Sequence, residues 1–417
     1  MTILIKQATI LSPNSPHHLK KRDLLIRNGS IEKMAASLSD KAAKTIQEKD
    51  LYVSEGWKDI FADFCDPGFE HKEDIQSGLS VAKAGGYTGV CLLPNTYPSI
   101  SSKSQVEYIK NQERNSGVNL YPIGAVSQDV KGETLAEMYD MNQAGARLFS
   151  DGKQSIQSAG LLLKALQYLK TIDGTLIQVP DTKSISANGL MNEGKESTQL
   201  GMPGIPTIAE HLQIQRDLTL CEYAESRIHF TGVSTKQSVA LITAAKKRGV
   251  QVSCSVAPYH LLFTDKELSA YDSNYKVFPP LRSQSERNFL IKALKEGKID
   301  GIASHHTPQD TDSKKVEFAF AKEGLISLQY ILPILLEAGF SAEEIARITT
   351  GAFENVTGLD STVEVGAKAD ICLFSTKGKT IVSKETNLSK STNTPLMEKE
   401  MKGRIVGTIL GTQLNLC

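Results

Sequence analysis

The sequence predicts an α/β protein built on a (β/α)8 TIM barrel, with a small β-sandwich domain assembled from both ends of the chain. Three observations predict this. The chain has 417 residues, well beyond the roughly 250 that a barrel needs by itself. Its middle alternates short apolar runs with stretches of helical spacing eight times. Its two ends read as strands instead. Eight strand–helix alternations argue for a closed parallel barrel over an open sheet.

The elements follow in order. Ile3 to Leu11 and Leu24 to Ile31 alternate apolar and polar residues, and Asn28-Gly29 is a two-residue hairpin signal. Barrel strands are expected to begin near Asp59, Tyr87, Asn119, Ala146, Gly174, Arg227, Val250 and Ile299. Helices of crossover length follow them, among them Glu73 to Ala84, Thr207 to Ala224, Lys236 to Arg248 and Ser285 to Glu296. Val363 to Phe374 and Arg404 to Leu416 are β-rich, separated by the charged, Ser/Thr-rich stretch Lys377 to Asn393. The expected boundaries are therefore 1–52 for the N-terminal part of the β-domain, 53–358 for the barrel and 359–417 for the C-terminal part. Two long rim segments, Ser184 to Pro206 and Thr307 to Glu317, have the length of loops that close over a ligand or meet another subunit.

Composition excludes several classes of function. Forty-seven basic and 47 acidic residues cancel, so no global field favours nucleic acid or an anionic membrane. No segment is long and apolar enough to span a bilayer, and Met1 to Pro13 lacks the pattern of a signal peptide. The six cysteines are scattered and form no CxxC pair, which disfavours a zinc knuckle or a disulfide framework. The expectation is a cytoplasmic protein with reduced thiols, without nucleic-acid or membrane partners.

In such barrels function sits at the C-terminal ends of the strands. Those positions hold Phe61, Asp63 and Cys65 after the first strand, Asn95 after the second, Asp151 after the fourth, Gln178 after the fifth, Gly232 after the sixth and His305-His306 after the eighth. A hydrolytic zinc site needs several imidazoles and carboxylates converging there.

The segment Asp66-Pro67-Gly68-Phe69-Glu70-His71-Lys72-Glu73-Asp74 resembles the stretch that follows the paired metal histidines of dihydroorotases, a branch of the amidohydrolase superfamily. Leu93-Pro94-Asn95-Thr96, Phe149-Ser150-Asp151-Gly152, Ile208-Ala209-Glu210-His211, Val233-Ser234-Thr235-Lys236, Pro279-Pro280-Leu281-Arg282, His306-Thr307-Pro308, Gly366-Ala367-Lys368-Ala369-Asp370 and Lys402-Gly403-Arg404 are similar to that family in the same order. The resemblance spans nearly the whole chain. It implies an amidohydrolase-type barrel, a place in pyrimidine biosynthesis, and zinc-assisted opening of a cyclic amide.

The departures from the pattern carry the functional expectation. Where the family has Asp-x-His-x-His, this chain has Asp59-Ile60-Phe61-Ala62-Asp63. The family's later metal histidines fall on Gln178 and Gly232, and its catalytic aspartate on His305. Its substrate arginine and one substrate asparagine fall on Cys65 and Phe278, which leaves Asn95 as the matching substrate contact and Asp151 as the one retained ligand position. Phe61 and Gly232 cannot ligate, and Gln178 is a poor donor to zinc. The expectation is thus no cofactor, no assigned catalytic residue, and a role as an assembly or regulatory subunit. The resemblance supplies a candidate partner, because dihydroorotase-like proteins without activity assemble with aspartate carbamoyltransferase in some bacteria; homo-oligomerisation is also expected.

Other readings stay open at this stage. Asp63, Cys65 and Asp66 with Asp151, and Gln178 beside them, are candidate ligands of a rebuilt zinc site with His305 as base, in an active dihydroorotase or another cyclic-amide hydrolase. A pocket that binds without reacting is a third. Against these stand the structural roles of the same residues: rim aspartates as loop caps, Cys65 as a packed thiol, Asn95 as a turn former, His306 and His211 as hydrogen-bonders, and His260 and Tyr259 as packing beneath the rim.

Overall fold

The computed structural model describes residues 1–41 and 43–417. The N-terminal strands are β1 (Thr2–Leu11), β2 (Lys21–Arg27), β3 (Ser30–Ala35), β4 (Lys44–Gln47) and β5 (Leu51–Glu55). Asn28 and Gly29 both take positive φ, 51° and 83°, so the turn joining β2 to β3 has the mirror-image twist that two-residue hairpins favour. Strand β1 pairs with β4 through Ile3–Lys6 and with β5 through Thr9–Leu11, with a register shift against β2 between Ile5 and Ala8.

The barrel strands are β6 (Trp57–Ala62), β7 (Tyr87–Leu92), β8 (Asn119–Pro122), β9 (Leu148–Phe149) and β10 (Thr175–Gln178). After two short rim strands, β11 (Met191–Asn192) and β12 (Gly204–Ile205), come β13 (Arg227–Phe230), β14 (Gln251–Val256) and β15 (Gly301–Ile302). All pair in parallel, in the orders β6-β7-β8 and β15-β14-β13-β10-β9. Single bridges between Gly124 and Phe149 and between Ala62 and His306 join the two arcs into a closed ring. Asp59 locks the second seam, accepting from the Ser304 amide and hydroxyl at 2.6 Å each. The eight strands start within a few residues of the positions expected from the sequence, and helices such as Ile75–Ala84, Ile208–Ala224, Lys236–Lys247 and Gln284–Lys295 fill the crossovers. Asp74 starts the first of these by accepting from the Ser77 amide at 2.7 Å. Among the described residues no helix is long and apolar enough to cross a membrane.

The chain then returns through β16 (Asp370–Val382), β17 (Lys399–Leu410) and β18 (Gln413–Leu416), which join the N-terminal strands in the order β18-β17-β16-β5-β1-β2-β3. Hydrogen bonding makes this one continuous sheet, because β1 offers one edge to β2 and the other to β4 and then β5. Ile3, Ile5, Ile10, Leu24, Ile26, Val53, Ile371 and Leu373 form its own apolar cluster. Lys58 ties it to the barrel floor, donating to Asp370 at 2.7 Å and Thr88 at 2.6 Å.

The stretch expected to link two C-terminal strands behaves differently from a simple connector. Strand β16 continues to Val382, and the residues after it reach back across the barrel rim. Ser389 donates to the Glu73 carboxylate, the Ser391 hydroxyl to the Lys72 carbonyl at 2.8 Å, and Asn393 to the Thr307 carbonyl at 3.0 Å. These bonds hold the loops that follow the first and eighth barrel strands.

Candidate functional site

The rim positions converge on a mouth packed with aromatic rings. Phe61, at the end of β6, lies with its ring centroid 4.5 Å from that of His305, the planes tilted by 32°. Tyr259 meets the same imidazole edge-on at 6.4 Å and 89°. His305 takes a φ of 48°, and its Nε2 pairs with the Thr231 hydroxyl at 2.8 Å. Burial, and then the neighbouring His260, push its pKa down to about 3, so the imidazole is neutral across the physiological range. A polar chain descends from it through Thr231 and Ser255 to His229 and Ser253.

Gly232 sits under this ring with φ +71°, and a Cβ there would meet His305 Cε1 at 2.8 Å and Pro279 Cδ at 3.1 Å. Gln178 is fully buried and turned into the wall, donating to Asp217 at 3.2 Å and accepting from the Ile156 amide at 3.4 Å. Asp151 is 1% exposed. Its carboxylate accepts from the Val126 and Ser127 amides, at 3.0 and 2.9 Å, and from the Ser127 hydroxyl. Burial raises its pKa.

Asp63 accepts from the Cys65 amide at 2.8 Å and from Lys153 Nζ at 2.6 Å. Burial opposes its charge, yet the Lys153 ammonium holds the carboxyl below its ordinary value. Burial, and then the Asp63 charge, push the Cys65 thiol well up, which leaves it protonated and unreactive. Asn95 is held by backbone, donating to the Asp151 carbonyl at 3.1 Å and accepting from the Lys153 amide at 2.9 Å. His306 turns away from His305, accepting from the Ser327 amide at 3.2 Å on Nδ1, with Nε2 3.6 Å from Glu73. His211 pairs with Thr235, and His260 Nε2 faces the Pro279 and Pro280 carbonyls at 3.1 Å.

The fold therefore brings Phe61, His305 and Gly232 together, but not Asp63, Gln178 and Asp151 as a common ligand set. Measured against a zinc centre this donor set does not fit. A phenyl ring and a glycine stand at two of the positions, the Gln178 amide is committed to Asp217, and the Asp63 carboxylate is committed to an ammonium. Among the described residues no three His, Cys, Asp or Glu side chains group as a metal cage. Sequence reasoning missed Lys153, Thr231 and Gln309. The signal for Lys153 was a cation two residues beyond Asp151 in the loop leaving a barrel strand. Gln309 and Lys322 lie in or beside the rim segment flagged for its length, and both line a cavity of about 430 Å³ at the mouth.

The architecture is shared with solved structures. L-hydantoinase (dihydropyrimidinase) from Arthrobacter aurescens aligns with a TM-score of 0.85 at 22% identity, covering 99% of this chain and 95% of that one. Dihydropyrimidinase from Brevibacillus agri aligns with a TM-score of 0.82 at 20% identity, with the same coverage. The fold is thus a (β/α)8 barrel of the kind these two proteins share. Sequence comparison narrows this. Residues 55–238 match the family model described as dihydro-orotase-like. The dihydroorotase of Syntrophotalea carbinolica is 35% identical over 417 aligned residues, and that of Pelobacter propionicus 36%, each alignment covering 98% of both chains. The chain belongs to the dihydroorotase family.

Proposed function

We propose that this chain is a dihydroorotase-family protein that does not hydrolyse and does not hold zinc, and that it serves pyrimidine biosynthesis as an assembly or regulatory subunit with aspartate carbamoyltransferase as its partner. One observation carries this reading: Phe61 and Gly232 offer no donor to a metal, and the imidazole packed 4.5 Å from the Phe61 ring, His305, has its Nε2 taken by the Thr231 hydroxyl at 2.8 Å. Hydrolysis of a cyclic amide in this fold relies on a metal to lower the pKa of water and polarise the carbonyl. His305 does not replace that chemistry as a base, because a proton affinity depressed to about 3 leaves little driving force for taking a proton from water. A rebuilt site on Asp63 is disfavoured by its ion pair with Lys153 at 2.6 Å.

The experiment is metal analysis and turnover on protein purified without chelator, together with co-purification from the native cell. The reading expects no stoichiometric zinc, no interconversion of dihydroorotate and carbamoyl aspartate, and recovery with aspartate carbamoyltransferase. Stoichiometric zinc with turnover, lost in Asp151→Ala, would establish a working enzyme instead. Recovery only as a free monomer or homodimer would remove the partner.

A further inference from the structure

We infer that a line of buried hydroxyls and one imidazole fixes the tautomer of His305, so that this ring carries its proton on Nδ1 and keeps its lone pair engaged by Thr231 on Nε2. Thr231, Ser255, His229 and Ser253 are the positioning residues. The inference holds whether or not the chain hydrolyses, because it concerns the state of one ring and the residues that set it.

The spacing of these residues brings them together. His229 lies in β13 and Thr231 follows that strand by one residue, while Ser253 and Ser255 are two positions apart in β14, so each pair projects to one face of its strand. Parallel pairing of the two strands sets His229 beside Ser253. All four side chains are buried, Ser253 being the most exposed at 8%. Polar groups so placed must find partners among themselves. His229 Nδ1 meets the Ser253 hydroxyl at 2.7 Å, and its Nε2 meets the Ser255 hydroxyl at 2.9 Å. Ser255 donates to Thr231 at 3.0 Å, and Thr231 meets His305 Nε2 at 2.8 Å.

The direction of one bond sets all the others. A serine hydroxyl has a single hydrogen, and Ser255 gives its hydrogen to Thr231. In its contact with His229 Nε2 the imidazole is therefore the donor. A neutral imidazole has one N–H, so His229 Nδ1 accepts, and Ser253 donates to it. On the other side Thr231 accepts from Ser255, and its own hydrogen goes to His305 Nε2, the one other partner of that hydroxyl among the described residues. Nε2 is then an acceptor, and the single proton of the neutral ring sits on Nδ1. Burial keeps both rings neutral, pushing each from 6.5 down to about 3. Reversing any one bond alone sets two hydrogens or two lone pairs against each other, which is costly for buried groups. The two rings thus carry their protons on opposite nitrogens, His229 on Nε2 and His305 on Nδ1. At the mouth, the residue standing where the resemblance places a catalytic aspartate has its one lone pair already occupied.

Long-range proton–nitrogen NMR on the full chain, labelled with nitrogen-15 at histidine and held near neutral pH, tests this, because protonated and bare ring nitrogens resonate far apart. His305→Gln and His229→Gln each remove one set of signals and so assign the two rings. The parent chain is expected to show His305 protonated on Nδ1 and His229 on Nε2, each favoured by about ten to one or more over the other tautomer. Ser255→Ala makes no change next to His305, yet should lower the His305 ratio about threefold or more, which a merely structural serine would not do. Thr231→Val should lower it as well, and Thr231→Ser, which keeps the hydroxyl, should preserve it. The inference is overturned if His305 in the parent chain is charged, prefers Nε2–H or shows no preference. It is equally overturned if both rings are protonated on the same nitrogen, or if Ser255→Ala and Thr231→Val both leave the His305 ratio unchanged. The parent spectrum decides the tautomers by itself, so a Ser255→Ala chain that fails to fold does not remove the test.

Discussion

Replacing Gly232 by alanine tests directly whether the mouth is closed to a side chain where the family resemblance places a metal histidine. Two costs add. At φ +71° an alanine is in the left-handed region, which costs about 1–2 kcal/mol for a residue with a Cβ. The new Cβ would also lie 2.8 Å from His305 Cε1, and that ring is held by Phe61 and by Thr231 at 2.8 Å, so relief requires moving a packed group, at about 1–3 kcal/mol. The smaller entropy of the unfolded alanine chain returns about 0.4–1 kcal/mol. The expected net loss is about 1–5 kcal/mol. Denaturant unfolding monitored by the single tryptophan reads it, because Trp57 is fully buried in the first barrel strand. Removing the obstructing ring separates the two costs: Gly232→Ala combined with His305→Ala should be less destabilised than the sum of the singles by about 1–3 kcal/mol. Additive costs, or a Gly232→Ala loss below about 0.5 kcal/mol, would show that the ring does not block this position.

Five buried groups with large shifts contribute to the pH dependence of stability in opposite senses. His229, His260 and His305 are pushed from 6.5 to about 3, 4 and 3, in each case mainly by burial. Their contribution is present above pH 6.5 and is lost as pH falls, since the unfolded chain binds protons the folded one refuses. Burial raises Glu55 from 4.5 to about 7 and Asp217 from 3.8 to about 6, and these work in the opposite sense, stabilising at low pH and losing that contribution as pH rises through the folded values. Removing one carboxyl isolates its share: unfolding free energies of Glu55→Gln should fall less steeply than those of the parent chain as pH rises from 4.5 to 7. An unchanged slope would contradict it. Lys153→Met should leave the buried Asp63 carboxylate unpaired, raise its pKa and destabilise the protein most above the ordinary carboxylate range; a pH titration of stability that is not rescued by adding Asp63→Asn would show the pair to be unimportant. Arg282→Met breaks a rim network in which the guanidinium, 3% exposed, donates to Ser234, Asn192 and the Ile205 carbonyl and lies 3.4 Å from Glu210. An equilibrium unfolding loss of about 3–5 kcal/mol is expected, because Glu210 is left buried without its counter-charge.

The sequence by itself determined the eight-fold alternation of strands and helices, the hairpin at Asn28-Gly29 and the order of family-like segments, because periodicity and turn chemistry are local properties that each stretch carries with it. The family resemblance also implied which ligand positions carry no imidazole, since that reading needs only motif order and residue type. What filled the gap was decided only in three dimensions. That Phe61 packs on His305, that Lys153 reaches Asp63 across 90 positions, and that residues 389–393 fasten the rim some 80 to 320 positions away depend on chain segments meeting through the closure of the ring. The unanswered oxygen of Gln309 is the same kind of fact: its isolation follows from where the Glu323 carbonyl sits and from the water its neighbours exclude, and neither is written in the residues around it.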